Sequence, residues 1–238
     1  MSLNNIKALT FDTGGTILDW HTGFLNAFKI AGNEHGIDKD WKHITNELRR
    51  KSLKKVLNLG KINLPEYNFD DAHKMALKEI ISEYNLNAFT DENIYNISYK
   101  APHNFTVWPD FPDALLKLKA KYLCISFTLL SFKLIIDTAR KNNLSWDAVF
   151  SCEGIKKYKI LPEAYQTTAN WLQLKPEECG MVACHNFDLD AAKKVGFKTI
   201  FVKRPNEWGH ESPPDPEPNV HHDFIVESFT ELPELLKC

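Results

Sequence analysis

The sequence lacks four features that would each indicate a class of protein. It has no excess of positive charge, because 29 lysine and arginine residues against 31 aspartate and glutamate residues give a net charge of −2 at pH 7. Binding to a phosphate backbone needs a basic surface, so we expect no nucleic-acid partner. The longest apolar stretch, 122–136, is interrupted by polar residues and falls short of the roughly 20 apolar residues that span a bilayer, so we expect no membrane association.

Cysteine is also sparse. The five cysteines form an odd set without a C-x-x-C pair, which argues against both a disulfide framework and a zinc ribbon. The first residues lack a basic region followed by an apolar run, so we expect no signal peptide. Together these features predict a reduced, cytoplasmic setting.

The composition is that of a globular protein, and segments typical of strands and helices follow one another along the chain. The 238 residues, 43% of them hydrophobic, suffice for one large domain or for a core with a smaller partner. A short apolar run, 6–11, is followed by Asp12-Thr13-Gly14-Gly15-Thr16, which predicts a buried strand entering a tight loop. The region 19–99 shows almost no strand signal and predicts helices at 23–35, 39–59 and 70–84.

From residue 109 onward, strands and helices alternate. Strands are predicted at 122–127, 148–151, 180–183, 198–202 and 223–226, and helices at 113–121, 132–143, 162–172, 189–195 and 230–236. This alternation predicts an α/β fold, a parallel Rossmann-like sheet with helices on both faces. We assign residues 1–16 and 105–238 to this α/β core and residues 17–104 to an inserted helical cap.

Ligands of such sheets bind beyond the carboxyl ends of the strands. The residues at these positions are Asp12, Thr128, the loop 151–159 and the segment 185–188. Topology alone therefore predicts a site containing two carboxylates, a hydroxyl and several lysines.

Four segments in chain order carry a family resemblance. Residues 11–16, Thr128, residues 158–165 and residues 181–188 resemble the four motifs of the haloacid dehalogenase-like hydrolase superfamily. Three further stretches, Asp19-Trp20, 144–147 and 201–205, resemble its L-2-haloacid dehalogenase (type II) branch. The resemblance implies that Asp12 is a nucleophile, that Lys159 is the essential lysine and that Asp188 is the aspartate of the fourth motif.

Other interpretations of these residues stay open at the sequence level. Thr128 would hydrogen-bond the substrate carboxylate or Asp12, or simply end a strand. Lys159 would neutralise and orient Asp12, or be an ordinary solvated lysine. Asp188 would hold Lys159 or orient a hydrolytic water, or cap the helix that follows it.

Gly14 decides between two leaving groups. Phosphatases of this superfamily carry a second aspartate two residues after the nucleophile, which protonates the alkoxide that leaves a phosphate ester. The chain has Gly14 there. A halide leaves as a stable anion and needs no proton, so this difference favours carbon–halogen cleavage. A turn glycine with positive φ is the structural alternative.

The substrate-binding residues are expected from the cap and the strand ends. We expect an arginine of the cap to bind the leaving halide or the substrate carboxylate, with Arg49 preferred over Arg50 and Lys42; a solvated helix face is the alternative for each. Trp20 would form a wall of the pocket, or belong to the core. Leu129 and His185 are the remaining candidates beside the substrate.

We expect no metal and no other cofactor. Mg²⁺ prefers several carboxylates, and the fourth motif offers only Asp188. A weakly bound Mg²⁺ on Asp12, the Gly14 carbonyl and Asp188 stays open. The expected partner is a small-molecule substrate, and the resemblance also raises a homodimer formed through the cap.

Three functional hypotheses follow. The first is hydrolytic dehalogenation of short 2-halo acids through an aspartyl ester on Asp12. The second is a Mg²⁺-dependent phosphatase of small metabolites. The third is a non-catalytic descendant, suggested by Leu129 in place of the asparagine that helps to cradle halide, by Ile160-Leu161 in place of a proline-containing pair, and by Ala183 in place of serine.

Overall fold

The computed structural model describes residues 5–59, 67–215 and 217–238. Residues 1–4, 60–66 and 216 lie outside the described residues. They include the N-terminal segment expected to lack a signal peptide, part of the predicted cap and one residue of the loop after residue 205. Six strands form the sheet: β1 (Ala8–Phe11), β2 (Leu123–Thr128), β3 (Ala148–Ser151), β4 (Cys179–Ala183), β5 (Lys198–Val202) and β6 (Phe224–Val226). Each begins and ends within two residues of its predicted position.

The strands pair in the order β3-β2-β1-β4-β5-β6, and every pairing is parallel. This order confirms the predicted Rossmann-like α/β fold. The order reverses between β1 and β4, which run side by side with Thr10 opposite Met181. A crevice opens at the carboxyl end of such a reversal, so the fold brings Asp12 and the segment after β4 to the ligand-binding position.

Alternate residues of the strands enter two apolar cores. On β4, Met181 and Ala183 join one buried cluster while Val182 joins the other, and on β5 Phe201 and Ile200 divide in the same way. Successive side chains of a strand point to opposite faces, so both faces of this sheet are covered. Strands buried on both faces explain the near-continuous apolar runs in the sequence.

Helices fill the chain between β1 and β2. They are α1 (Trp20–Glu34), α2 (Trp41–Leu59), α3 (Phe69–Glu83) and α4 (Asp91–Tyr95), followed by a π-helical turn (Asn96–Lys100), a 3-10 turn (Pro102–Asn104) and α5 (Phe111–Lys119). Side-chain caps fix two of the starts: Asp19 accepts from the amide of Thr22, and Asn68 forms a capping box with Asp71. The division into a core and a cap stays a prediction.

The remaining helices connect the later strands. They are α6 (Phe132–Lys141), α7 (Cys152–Ile155), α8 (Pro162–Trp171), α9 (Asn186–Val195) and α10 (Leu232–Leu235). The short helix α7 was not predicted, and α9 begins at Asn186 rather than at residue 189. Among the described residues, no helix has both the length and the apolar character needed to cross a bilayer.

Candidate active site

The carboxylate of Asp12 lies at the end of β1 and is almost completely buried. Its Oδ1 accepts from the ammonium of Lys159 at 3.1 Å. Its Oδ2 accepts from the hydroxyl of Thr16 at 2.8 Å and lies 3.2 Å from Nδ1 of His185. Burial raises the pKa of Asp12, but Lys159 and His185 outweigh burial and hold that pKa well below its usual value. The residue predicted as a nucleophile is therefore an ionised carboxylate.

Lys159 joins the two aspartates of the predicted site. Its ammonium donates to Oδ2 of Asp188 at 2.6 Å, and the side chain is 1% exposed, which excludes an ordinary solvated lysine. Burial lowers the pKa of Lys159, but Asp12 and Asp188 more than compensate and raise it. The hydroxyl of Tyr165 donates to Oδ1 of Asp188 at 2.6 Å. Burial raises the pKa of Asp188 against the opposing effect of Lys159.

A glutamate that the sequence reasoning missed completes this charged cluster. Glu207, in the loop after β5, is 2% exposed and places Oε1 and Oε2 at 3.1 and 3.2 Å from Nε2 of His185. The indole N–H of Trp20 donates to Oε1 of Glu207 at 3.0 Å. The position of Glu207 just beyond the carboxyl end of a strand was the signal that could have identified it.

The loop after β1 depends on its two glycines in different ways. The positive φ of 99° falls at Gly15 and not at Gly14, so the turn-glycine interpretation of Gly14 is wrong. A Cβ on Gly14 would lie 3.2 Å from a terminal guanidinium nitrogen of Arg49. The space in which a phosphatase would carry its acid is therefore filled by a cation.

Among the described residues of the predicted cap, Arg49 is the basic residue that lines the pocket. It lies on α2, is 4% exposed and donates to the carbonyl of Gly14 at 3.1 Å. Its Nε has no hydrogen-bond partner within the described part of the chain. The neighbouring Arg50 is exposed and pairs with Glu47 and Glu211, and Lys42 is exposed.

Trp20 does not line the pocket, contrary to the interpretation as a pocket wall. It is 1% exposed and lies behind the charged cluster, where the guanidinium of Arg49 stacks 5.2 Å from its ring. Its neighbour in the pocket wall is instead Trp208, whose ring meets that of Trp20 edge-on at 5.0 Å. Trp20 therefore supports Arg49 and Glu207 rather than contacting a ligand.

The hydroxyl at the end of β2 belongs to Thr128, as expected. Thr128 lines the pocket, and its Oγ1 accepts from the amide of Leu130 at 3.1 Å. The other hydroxyl near the end of β2, that of Ser126, was a second candidate from the sequence; it lies 2.9 Å from the hydroxyl of Thr13 and does not line the pocket. Leu129 also lines the pocket, so an apolar side chain occupies the position where the family has its asparagine.

These groups surround a cavity of about 180 Å³. The polar and charged lining residues are Asp12, Arg49, Thr128, Lys159, His185, Asp188 and Asp215, and the remaining lining residues are Gly14, Leu53, Phe69, Leu129, Leu130, Phe187, Trp208 and Pro214. Arg49 and Leu53 are four residues apart on α2, which places them on the same face of that helix. The sequence reasoning missed most of the apolar wall because its residues come from three helices and two loops.

The oxygens proposed for a weak Mg²⁺ site are already occupied by protein donors. Both oxygens of Asp12 and both oxygens of Asp188 accept hydrogen bonds, and the Gly14 carbonyl accepts from Arg49. Lys159 supplies the positive charge between the two carboxylates. The residues therefore do not fit a metal ion in this arrangement. Away from the pocket, Asp190, His221 and His222 place one carboxylate and two imidazoles within 4.8 Å of one another, a set that could hold a metal ion.

Comparisons with known proteins agree with the fold. The (S)-2-haloacid dehalogenase 1 of Pseudomonas sp. (strain CBS-3) is 27% identical over 241 residues, which cover 98% of each chain. The crystal structure of the L-2-haloacid dehalogenase PA0810 superposes with a TM-score of 0.89 at 27% identity, covering 97% of this chain and 99% of that one. No family model matches the chain.

A third relative shares the fold at lower identity. The L-2-haloacid dehalogenase from Xanthobacter autotrophicus, solved with chloropropionic acid covalently bound, is 21% identical with a TM-score of 0.80, and the match covers 98% of both chains.

The parallel sheet and the aspartate–lysine–aspartate arrangement at its switch point agree with the resemblance to the haloacid dehalogenase-like hydrolase superfamily. Both whole-length relatives at 27% identity lie in one part of that superfamily. Over its whole length the chain is thus similar to L-2-haloacid dehalogenases, in agreement with the resemblance of its motifs.

Proposed function

We propose that the protein hydrolyses short 2-halo acids through an ester formed on Asp12. The observation that carries this proposal is the arrangement around Asp12: a buried, ionised carboxylate faces a small cavity that also contains a buried arginine and no acid at position 14. In the first step, Oδ1 of Asp12 attacks the α-carbon, and the halide leaves with inversion at that carbon. Arg49 binds the substrate carboxylate or the departing halide.

The second step hydrolyses the ester. Asp188 takes a proton from water, the water oxygen bonds to the side-chain carbonyl carbon of Asp12, and the bond between that carbon and the alkoxy oxygen breaks. The alkoxide takes the proton back from Asp188 and leaves as a 2-hydroxy acid. Asp12 is left as a carboxylic acid that carries the other proton of the water, and it releases this proton to solvent to become a carboxylate again. Lys159 holds both aspartates in position through its hydrogen bonds. Burial raises the pKa of Asp188, which suits a group that accepts a proton.

The size and lining of the cavity support short substrates. About 180 Å³ has room for an acid of a few carbons, and the apolar wall formed by Phe69, Leu129 and Trp208 suits a short alkyl group and a halogen. The natural substrate is determined by this wall. The covalent chloropropionic acid complex of the Xanthobacter enzyme supports the same class of intermediate.

The test is halide release from L-2-chloropropionate, followed with intact-protein mass spectrometry in a quenched single turnover. We expect release that is unaffected by EDTA and a transient adduct located on Asp12 by peptide mapping. Asp12→Asn is the matched variant, because it keeps the shape and removes the nucleophilic charge; it should release no halide and form no adduct on mixing.

Two results would contradict the proposal. Folded protein that releases no halide from any short 2-halo acid would remove the substrate class. Turnover of p-nitrophenyl phosphate that EDTA abolishes would establish the phosphatase alternative instead, and an absence of any adduct would support the non-catalytic one.

A further inference from the structure

His185 lies between two carboxylates that come from opposite ends of the chain. Its Nδ1 is 3.2 Å from Oδ2 of Asp12, and its Nε2 is 3.1 Å from Oε1 of Glu207. Ionised carboxylates only accept hydrogen bonds, so both ring nitrogens must donate. The geometry therefore makes His185 an imidazolium cation that contacts the nucleophile directly.

The two oxygens of Asp12 have different surroundings. Oδ2 is held by two donors, Thr16 and His185, whereas Oδ1 accepts from Lys159 alone among the described residues. Oδ1 thus retains a lone pair for attack on carbon. Oδ2 becomes the carbonyl oxygen of the ester, and its two donors are already in place.

Two neighbours, Gly15 and Trp20, fix the position of the Glu207 side chain. It is 2% exposed, and Gly15 leaves room for it, since a Cβ there would lie 2.0 Å from Oε1 of Glu207. The indole N–H of Trp20 holds the same oxygen. Burial raises the pKa of Glu207, but His185 and Arg49 outweigh burial and keep the carboxyl ionised.

From these contacts we propose that Thr16 and His185 form an oxyanion hole for Oδ2 of Asp12 during hydrolysis of the ester, with Glu207 as the residue that positions His185 and keeps it charged. This inference rests on the proposed function. It gives His185 a catalytic role instead of the predicted contact with the substrate.

The charge balance of the step explains why a cation is needed. When water adds to the side-chain carbonyl carbon of Asp12, the π electron pair moves to Oδ2, and the water proton moves to Asp188. The negative charge on Oδ2 then faces the Nδ1–H of His185 and the hydroxyl of Thr16. When the bond to the alkoxy oxygen breaks, the pair returns to the carbonyl and His185 keeps its proton throughout.

Other charged and titratable groups face His185 from the surrounding elements. Sγ of Cys184, the preceding residue, lies 3.4 Å from Nε2 of His185. Arg49, on α2, interacts electrostatically with Glu207. Lys159 pairs with Asp12 and with Asp188. Burial lowers the pKa of His185, but Cys184, Glu207 and Asp12 outweigh burial and raise that pKa well above its usual value. Hydrolysis of the ester should therefore decline only as pH rises through this raised pKa.

The experiment separates the two steps by quench-flow with L-2-chloropropionate, measuring halide and the Asp12 adduct together. In His185→Ala, removal of one oxyanion donor should slow hydrolysis of the ester by roughly 10²-fold. The first equivalent of halide should appear at nearly the wild-type rate, because Oδ1 is untouched, and the adduct should accumulate. His185→Gln keeps a neutral donor and should slow hydrolysis by roughly 10-fold.

Glu207→Gln tests the positioning role by a pH profile. Its amide removes the negative charge and keeps an oxygen for Trp20. The pKa of His185 should fall, so the high-pH limb of ester hydrolysis should move to lower pH. The matched control is His35→Gln, which changes a partly buried histidine bonded to Asn93 outside the pocket and should leave both steps unchanged. Thermal denaturation checks that each variant is folded.

The outcomes distinguish the inference from the function on which it rests. If folded His185→Ala hydrolyses the Asp12 ester at the wild-type rate, the oxyanion hole is overturned and the proposed function is not. If the high-pH limb of ester hydrolysis is unshifted in Glu207→Gln, the role of Glu207 is overturned. Wild-type protein that forms no adduct and releases no halide would overturn the proposed function, and the inference with it.

Discussion

Arg49 shows how much of this site depends on single buried charges. Its guanidinium stacks against the rings of Trp20 and Phe69 at 5.2 and 5.8 Å and reaches the carbonyl of Gly14. Burial lowers its pKa, and Glu207 and Asp12 oppose that effect. An incoming anion therefore meets a preorganised cation that needs little reorganisation.

We predict that Arg49→Met lowers kcat/KM for a 2-halo acid by at least about 30-fold, because loss of one partner of a buried charge pair costs roughly 2–5 kcal/mol. Arg49→Lys should recover part of this loss, since it restores the charge without the planar fork. Steady-state halide release measures both. Arg50→Met is the control, because Arg50 is exposed, pairs with Glu47 and Glu211 and is not among the residues that line the cavity; an equal loss in that variant would contradict the assignment.

At this scale the sequence predicted the charged groups that meet at the switch point but not the residues that contact them from behind. Asp12, Thr128, Lys159 and Asp188 follow strands, and their positions follow from topology and motif spacing. Glu207 follows β5 but lies in a loop without periodicity, and its contact depends on the space at Gly15. The place of Trp20 behind the pocket depends on side-chain packing that no local pattern encodes.

Among the elements, helix α3 buries a titratable side chain, that of His73. His73 lies on its inner face between the rings of Phe24 and Phe69, at centroid distances of 5.2 and 4.7 Å. Neither ring nitrogen has a hydrogen-bond partner within the described residues. Burial lowers the pKa of His73 from 6.5 to about 3.

This depressed pKa predicts a loss of stability in acid. Between pH 6.5 and 3 the unfolded chain binds a proton at His73 that the folded protein excludes, so the free energy of unfolding falls as pH falls through this window. At pH 5 the contribution is about 2 kcal/mol. Urea denaturation at pH 5 and pH 7.5 should show that His73→Leu reduces the difference between the two values by this amount. An unchanged difference would mean that His73 is protonated in the folded protein.

The bounds of the strands were easier to predict than the short helical segments. The six strands could be read from apolar runs because both faces of the sheet are buried. The short helix α7 and the π-helical turn escaped prediction, because four or five residues carry too little periodicity to distinguish a helix from a loop.

For the whole molecule, the pocket joins helices α2 and α3 to the loops after β1, β2 and β5. A ligand there contacts segments that are distant in the chain, so binding should stabilise the entire fold.

We predict that a short 2-hydroxy acid, as product, raises the melting temperature. At 100 times its Kd the gain is about 2.7 kcal/mol, or roughly 5–10 °C for a chain of this size. Differential scanning fluorimetry measures the shift. Arg49→Met should show a much smaller shift at the same concentration, and an equal shift in that variant would indicate that the acid binds elsewhere.

The bond between Trp20 and Glu207 joins residues 187 positions apart. During translation, a ribosome will have made both catalytic aspartates and the lysine before it adds the glutamate. The nascent polypeptide thus carries its nucleophile well before the group that keeps the histidine protonated. Every part of the proposed site is therefore present only after the loop that follows β5 has been synthesised and folded.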